Sequence, residues 1–287
     1  VSNVSSSCAV FEGCRYLETV VLHNKLTMLG EEIFMNCPNL KTVRYIDVDA
    51  ENALVGEAGT VTLPEGLTLL GTNAFTASGI ERVIVPSTIE NRTGNYAFRN
   101  CTELVYAEYR PEAIKSANSS YTTYLFDGCS ALKTVVLNSA ITYLPKYTFY
   151  NCTSLDTVLL YTAEDGVIGE PDSGTVTLPP ELTTLAEQVF YNTAIKEIAL
   201  PDTVTSVGDG ALAGTIVTGS EDYIEAMDGV VVEVDGNTVI SVSSDFAGEG
   251  GSYVVPEGVT IGAYALAQST LSSVTVAVDQ LDKFSMS

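Results

Sequence analysis

The chain has 287 residues, 46% of them apolar, a folding composition with enough length for a sizeable core. Lys plus Arg number 13 against 36 Asp plus Glu, a net charge of −23, which argues strongly against DNA or RNA as partner and against an anionic membrane surface. One His (His23) and no Trp exclude catalysis or metal binding built on several histidines.

In chain order, one pattern recurs: an aromatic, three residues to Cys, three to Leu, three to an apolar residue. It reads Phe11-Cys14-Leu17-Val20, Phe34-Cys37-Leu40-Val43, Phe98-Cys101-Leu104-Ala107, Phe126-Cys129-Leu132-Val135 and Phe149-Cys152-Leu155-Val158. Copies without Cys run from Phe75 (Ser78, Ile80, Val83) and Phe190 (Ile195, Ile198), and weaker ones centre on Leu212 and Leu266. The anchors are spaced 23, 41, 23, 28, 23, 41, 22 and 54 residues apart, so each 41 is a 23-residue repeat plus an 18-residue insertion. Anchors 11, 34, 75 and 98 also map onto 126, 149, 190 and 212 with offsets of 114–115. Gly59–Phe75 matches Gly174–Phe190 at 10 of 17 positions, which makes this a duplicated block of about four repeats.

Each copy predicts the same local path. Leu63-Pro64 to Leu70-Gly71, Leu200-Pro201 to Val207-Gly208 and Val255-Pro256 to Ile261-Gly262 end a strand at Pro and turn at Gly. The residues leading to the aromatic have the spacing of a short helical turn. The following Leu-x-x-Val-x-Leu alternates like a strand with one buried face: Leu155, Val158 and Leu160 inward, Thr157, Leu159 and Tyr161 outward. One copy cannot bury its own apolar stripe, so the copies must stack, with equivalent positions forming ladders. Tyr223 to Ser244 carries a β-hairpin signal, read as an insertion protruding from the stack.

The F-x-N/G-C-x-x-L-x-x-V pattern, with its V/I-P and I-G turns, resembles the BspA-like leucine-rich repeats of bacterial surface proteins over roughly Phe11 to Val276. The 23-residue period is also that of leucine-rich repeats. The resemblance implies an α/β repeat fold: a right-handed leucine-rich-repeat solenoid, strand-rich, with a parallel sheet on one face, short helical turns opposite and the inserted hairpin. It is expected to be one domain over 1–287, with insertions near 46–60, 161–175 and 218–252. The family is associated with cell-surface display, adhesion and host-protein binding, and it has no general catalytic site. No enzyme activity and no cofactor are therefore expected. The expected location is the bacterial surface or the extracellular space, and the expected partner is an extracellular or host protein. A carbohydrate- or cell-wall-binding module, or a structural spacer, is the alternative. No run reaches the ~18 apolar residues of a membrane helix, so direct membrane insertion is not expected. The chain does not begin with Met and opens mid-repeat, so it is expected to be a segment of a longer protein.

Five of the six Cys share one ladder position, which reads as buried free thiols; Cys8 remains a conceivable partner for Cys14. Zinc lacks its C-x₂-C spacing. Gly208–Gly214 resembles a phosphate loop only faintly and aligns with the repeat turn. Asp47, Asp49 and Glu51 start like a calcium loop without its glycine or terminal Glu, which reads as a solvated insertion. Asn3, Asn91, Asn100, Asn118 and Asn151 begin N-x-S/T sequons. His23 decorates the end of a strand, and a catalytic carboxylate pair has little support.

The candidate binding surface is the outward side of the strand ladder. Residues 1–145 carry a net charge of −5 and residues 146–287 one of −18. Arg44, Arg82 and Arg110 fall on outward positions, with Ile84, Tyr106, Glu108, Leu159 and Tyr161 beside them. Arg with aromatics is the chemistry of protein hot spots. Two readings stand: a partner-binding strip, or an ordinary ladder of Arg paired with Glu108 and Glu81.

Overall fold

The computed structural model describes residues 9–89, 93–114 and 124–276, apart from 228, 236, 247 and 249. Cys8, Asn3, Asn91 and Asn118 lie outside the described residues.

The strands after each Leu stack in parallel, as the alternation predicts. Thr19–His23 pairs with Thr42–Asp47, which leads through Val61–Thr62, Arg82–Val85, Tyr106–Tyr109 and Thr134–Asn138 to Thr157–Thr162. The register keeps equivalent residues opposite: Val20 against Val43, Val83 against Ala107, Val135 against Val158. These residues point inward, and Val43, Val83, Ala107, Val135 and Val158 are fully buried. Further along, Glu197–Leu200 pairs in parallel with Ile216–Gly219.

The aromatic anchors form one continuous column. Phe11, Phe34, Phe75, Phe98, Phe126, Phe149 and Phe190 stack with centroids 5.1–5.8 Å apart. Beside it runs the cysteine ladder. The thiols of Cys37, Cys101, Cys129 and Cys152 donate to the carbonyl of the aromatic one coil earlier, at 2.9–3.1 Å. The hydroxyls of Thr193, Thr215 and Ser269 instead reach the carbonyl three residues back in their own turn. Cys14, Cys37, Cys101, Cys129 and Cys152 are all free thiols, and burial pushes the pKa values of Cys129 and Cys152 up.

The expected helical turns are not there: the described residues contain no helix, and the fold is an all-β solenoid rather than α/β. The backbone explains why. Left-handed residues sit two before and two after the aromatic in successive coils: Glu32 and Asn36, Asn73 and Ala77, Tyr96 and Asn100, Tyr147 and Asn151, Gln188 and Asn192. A helix needs consecutive right-handed residues, and a left-handed one ends it. The turn N–H groups therefore donate sideways to the neighbouring coil. Phe75 N–H reaches Ala97 O at 2.8 Å and Phe126 N–H reaches Thr148 O at 2.9 Å. Asn100 and Asn151 of the sequons occupy such positions, where asparagine tolerates positive φ. Gly210 and Gly214 do the same around Leu212, so the glycine run at 208–214 is a repeat turn.

The duplication is visible in single hydrogen bonds. Gly59 N–H donates to Thr42 Oγ1 at 3.0 Å, and Gly174 N–H donates to Thr157 Oγ1 at 3.0 Å. Both insertions fold back as antiparallel ribbons, Ala53–Val55 on Tyr45–Asp47 and Gly166–Ile168 on Leu160–Thr162. Asp47 and Asp49 of the first are engaged by Asn24 and Lys25. The third insertion differs from expectation. Its strands Ile224–Met227, Val230–Glu233 and Thr238–Val242 form an antiparallel meander, but Thr238 and Val239 then pair in parallel with Thr260 and Ile261. Ser241 Oγ bonds Leu212 O at 2.7 Å, and Val242 N–H bonds Ala265 O at 2.8 Å. Its last strand is thus part of the stack: Val239 and Val242 are buried with Tyr253, Val255, Val259 and Ala265 in a second core under the last coils.

Candidate functional site

The outward side chains of the main sheet form three rows. The lower row runs Arg82, Tyr106, Thr134, Thr157, and the middle row Thr62, Ile84, Glu108, Val136, Leu159. Arg44, opposite Val21, belongs to the middle row. In the upper row Tyr161 lies opposite Asn138, whose side chain bonds Arg110 O at 2.6 Å. The three arginines therefore fall one to a row. Val61–Thr62 also intervenes between the strands of Arg44 and Arg82. They do not form a single patch. Sequence spacing missed this because a strand of two residues carries too little alternation to register.

Each arginine meets a different environment. Arg110 donates Nε–H to Glu108 Oε1 at 2.6 Å, approaches Glu65 at 3.4 Å, and stands 5.0 Å from the Tyr161 ring centroid. Arg82 lies over Tyr106, its guanidinium carbon 4.1 Å from the ring centroid. The carboxylates around Arg82 are engaged elsewhere: Glu81 and Glu103 pair with Lys41, and Glu108 with Arg110. The Arg44 side chain runs beneath the first insertion, and its Nε is buried without a hydrogen-bond partner among the described residues.

Outward does not mean exposed here. Tyr106, Glu108, Val136 and Leu159 are 8%, 4%, 0% and 1% accessible. Tyr106, Val136 and Leu159 form a small apolar cluster on the outer face, closed by Tyr161 and Val167. The insertions supply the cover. A Cβ on Gly169 would sit 2.7 Å from Leu159 Cδ2, and one on Gly56 would sit 3.3 Å from Arg44 Cγ. Both glycines have φ near +105°, a conformation that only glycine adopts readily. Burial, with help from the Glu108 charge, pushes the Tyr106 phenol up to about 12.

Between the two ribbons lies a saddle four strands wide, from Val61–Thr62 to Thr134–Asn138. Strand spacing puts its walls about 24 Å apart. Arg82 is exposed on it, and Ile84 and Arg110 are partly exposed, with Tyr161 at its far edge. The ribbons carry exposed Leu54 at 52% and Ile168 at 45%, on opposite faces: Leu54 pairs with Ile46, which shares the outer face with Arg44, whereas Ile168 pairs with the inward Leu160. At the lower edge of the saddle a cleft of about 390 Å³ opens beside Arg82, walled by Lys133, Ser154, Pro171 and Asp172. Lys133 and Asp172 were not among the sequence candidates. Lys133 precedes its strand and Asp172 lies in an insertion outside the 23-residue period, so neither has a signal at that period.

Comparison with known proteins follows the same lines. The sequence profile of the BspA type leucine rich repeat region matches in 6 copies, over residues 2–105, 55–156 and 172–218. No curated protein matches the chain by sequence. Among solved structures, a leucine rich cell surface protein from Faecalibacterium prausnitzii superposes with a TM-score of 0.60 at 20% identity, covering 90% of this chain and 65% of that one. A leucine-rich repeat protein from Bacteroides ovatus gives a TM-score of 0.51 at 17% identity, covering 94% and 63%. The chain thus spans just under two thirds of either relative's length, and at these identities the likeness is one of fold, a right-handed solenoid of stacked parallel coils. With the repeat profile matched over most of its length, the chain belongs to the BspA-type leucine-rich repeat family.

Proposed function

We propose that this chain is a non-catalytic interaction module of a secreted or surface-displayed bacterial protein, and that it binds a protein of a host or neighbouring cell through the saddle. The observation that carries the reading is the paired insertion ribbons. They bound an outer sheet face bearing Arg82, Ile84, Arg110 and Tyr161, with exposed Leu54 on the same face. Apolar residues beside Arg and Tyr are the composition of a binding hot spot. The buried residues Tyr106, Glu108 and Val136 form the floor of that face. The fold shared with a Faecalibacterium cell surface protein supports the location.

The test is binding of the chain to a panel of extracellular-matrix and plasma proteins at two salt concentrations. Saturable binding is expected, weakened by salt. The substitution Leu54→Asp is expected to weaken it at least about tenfold without changing the unfolding midpoint. Absence of binding to every panel member, or binding indifferent to this substitution, would overturn the reading.

A further inference from the structure

The cleft at the lower edge of the saddle has a chemistry of its own. In a chain of net charge −23, Arg82 is a cation with no carboxylate partner among the described residues. Its guanidinium carbon lies 4.1 Å from the Tyr106 ring centroid, a cation–π contact, and its N–H groups have no hydrogen-bond partner among the described residues. A second cation, Lys133, stands across the cleft, 3.6 Å from Asp172. Asp172 is itself fixed, its N–H bonded to Thr134 Oγ1 at 3.2 Å and one carboxylate oxygen accepting from the same hydroxyl at 3.3 Å. Ser154 is exposed, and its hydroxyl has no partner among the described residues. Pro171 and the exposed Val105 supply small apolar surfaces.

This lining asks for a ligand with one negative charge, several hydroxyls and a compact body. Arg82 matches a carboxylate, by paired N–H donors. Asp172 would repel a second carboxylate and accept from hydroxyls, while Ser154 can donate or accept. The cleft, at about 390 Å³, is at the small end of the range for small-molecule sites and suits one sugar ring. The stacked tyrosines on the turn side offer no such platform. Tyr96, Tyr124 and Tyr147 stack on one another at 5.0 and 4.5 Å, so their ring faces are already covered.

We propose that this cleft binds an acidic sugar residue, its carboxylate on Arg82 and its hydroxyls on Ser154 and Asp172. The site occurs once despite the duplication: 115 residues before Lys133 stands Glu18, which has the opposite charge. The proposal does not rest on the protein-binding reading, and either can fail alone.

The experiment is a titration of the chain, followed by saturation-transfer NMR, with glucuronic acid and N-acetylneuraminic acid. Glucose, N-acetylglucosamine and N-acetylglutamate amide are run beside them. At least one acidic sugar is expected to bind at least about tenfold more tightly than the neutral sugars, the scale of one charge-assisted hydrogen-bond pair. Arg82→Met, which keeps the stem over Tyr106, is expected to remove that margin, and Lys133→Met to reduce it. Both variants should unfold at the wild-type midpoint. Equal binding of neutral and acidic sugars, or no loss in Arg82→Met, would overturn the proposal. So would equal binding of N-acetylglutamate amide, which would mark the cleft as a seat for an acidic protein side chain.

Discussion

Replacing Phe126 by Ala tests the energetic logic of the stack. Phe126 is fully buried and sandwiched between Phe98 at 5.4 Å and Phe149 at 5.8 Å. Truncating a fully buried phenyl costs about 3–5 kcal/mol, and ring contacts on both sides put this position at the upper end. Phe11 carries the same residue in the same motif, but it is 36% exposed and has one ring neighbour, Phe34, at 5.6 Å. Phe11→Ala should therefore cost only about 1–2 kcal/mol. Because each coil touches only its neighbours, the loss at Phe126 weakens two interfaces in mid-stack. Urea unfolding followed by far-UV circular dichroism should show a lower midpoint and a broadened or split transition. The chain has no Trp for fluorescence. Hydrogen exchange should quicken at the amides of Phe98 and Phe126, which bridge adjacent coils, before that of Phe34. A midpoint shift for Phe126→Ala no larger than for Phe11→Ala would refute the reasoning.

Two further outcomes follow from the same geometry. Cys37, Cys101, Cys129 and Cys152 are buried, so site-resolved alkylation under native conditions should leave them unmodified, with Cys14 reacting faster and all five reacting in urea. Native labelling of Cys129 at the denatured rate would contradict the ladder. Gly169→Ala forces a Cβ against Leu159 at 2.7 Å and a non-glycine residue into φ +106°, whereas Gly166 at φ +74° has nothing within 4 Å. The first should cost about 1–3 kcal/mol more than Gly166→Ala in thermal melts, and equal costs would show that the second insertion does not press on the sheet.

The repeat positions were legible because each coil meets a near-copy of itself. Phe126 faces Phe98 and Phe149 for the same reason that Phe34 faces Phe11 and Phe75, so an environment that recurs in space recurs in the sequence. The inward Val ladder and the Cys ladder follow from this, as does the duplication of the insertions. The turn conformation was misread. Spacings of three and four residues suit a helical turn, but Asn36, Asn73, Asn100, Asn151 and Asn192 at left-handed positions signal its interruption.

The outer face obeys no such rule. Alternation determines that Glu108, Val136 and Leu159 point away from the core, but not that they are covered. The cover of Val136 and Leu159 comes from Gly169 and Val167, in an insertion outside the 23-residue period. The pairing of Arg110 with Glu108 and Glu65, and the freedom of Arg82, likewise depend on which loops arrive beside them. By itself the sequence determined the coils and the core ladders, since these are nearest-neighbour contacts between like units. Only the tertiary structure decided which outward residues meet solvent, because that burial is made by segments the repeat does not contain.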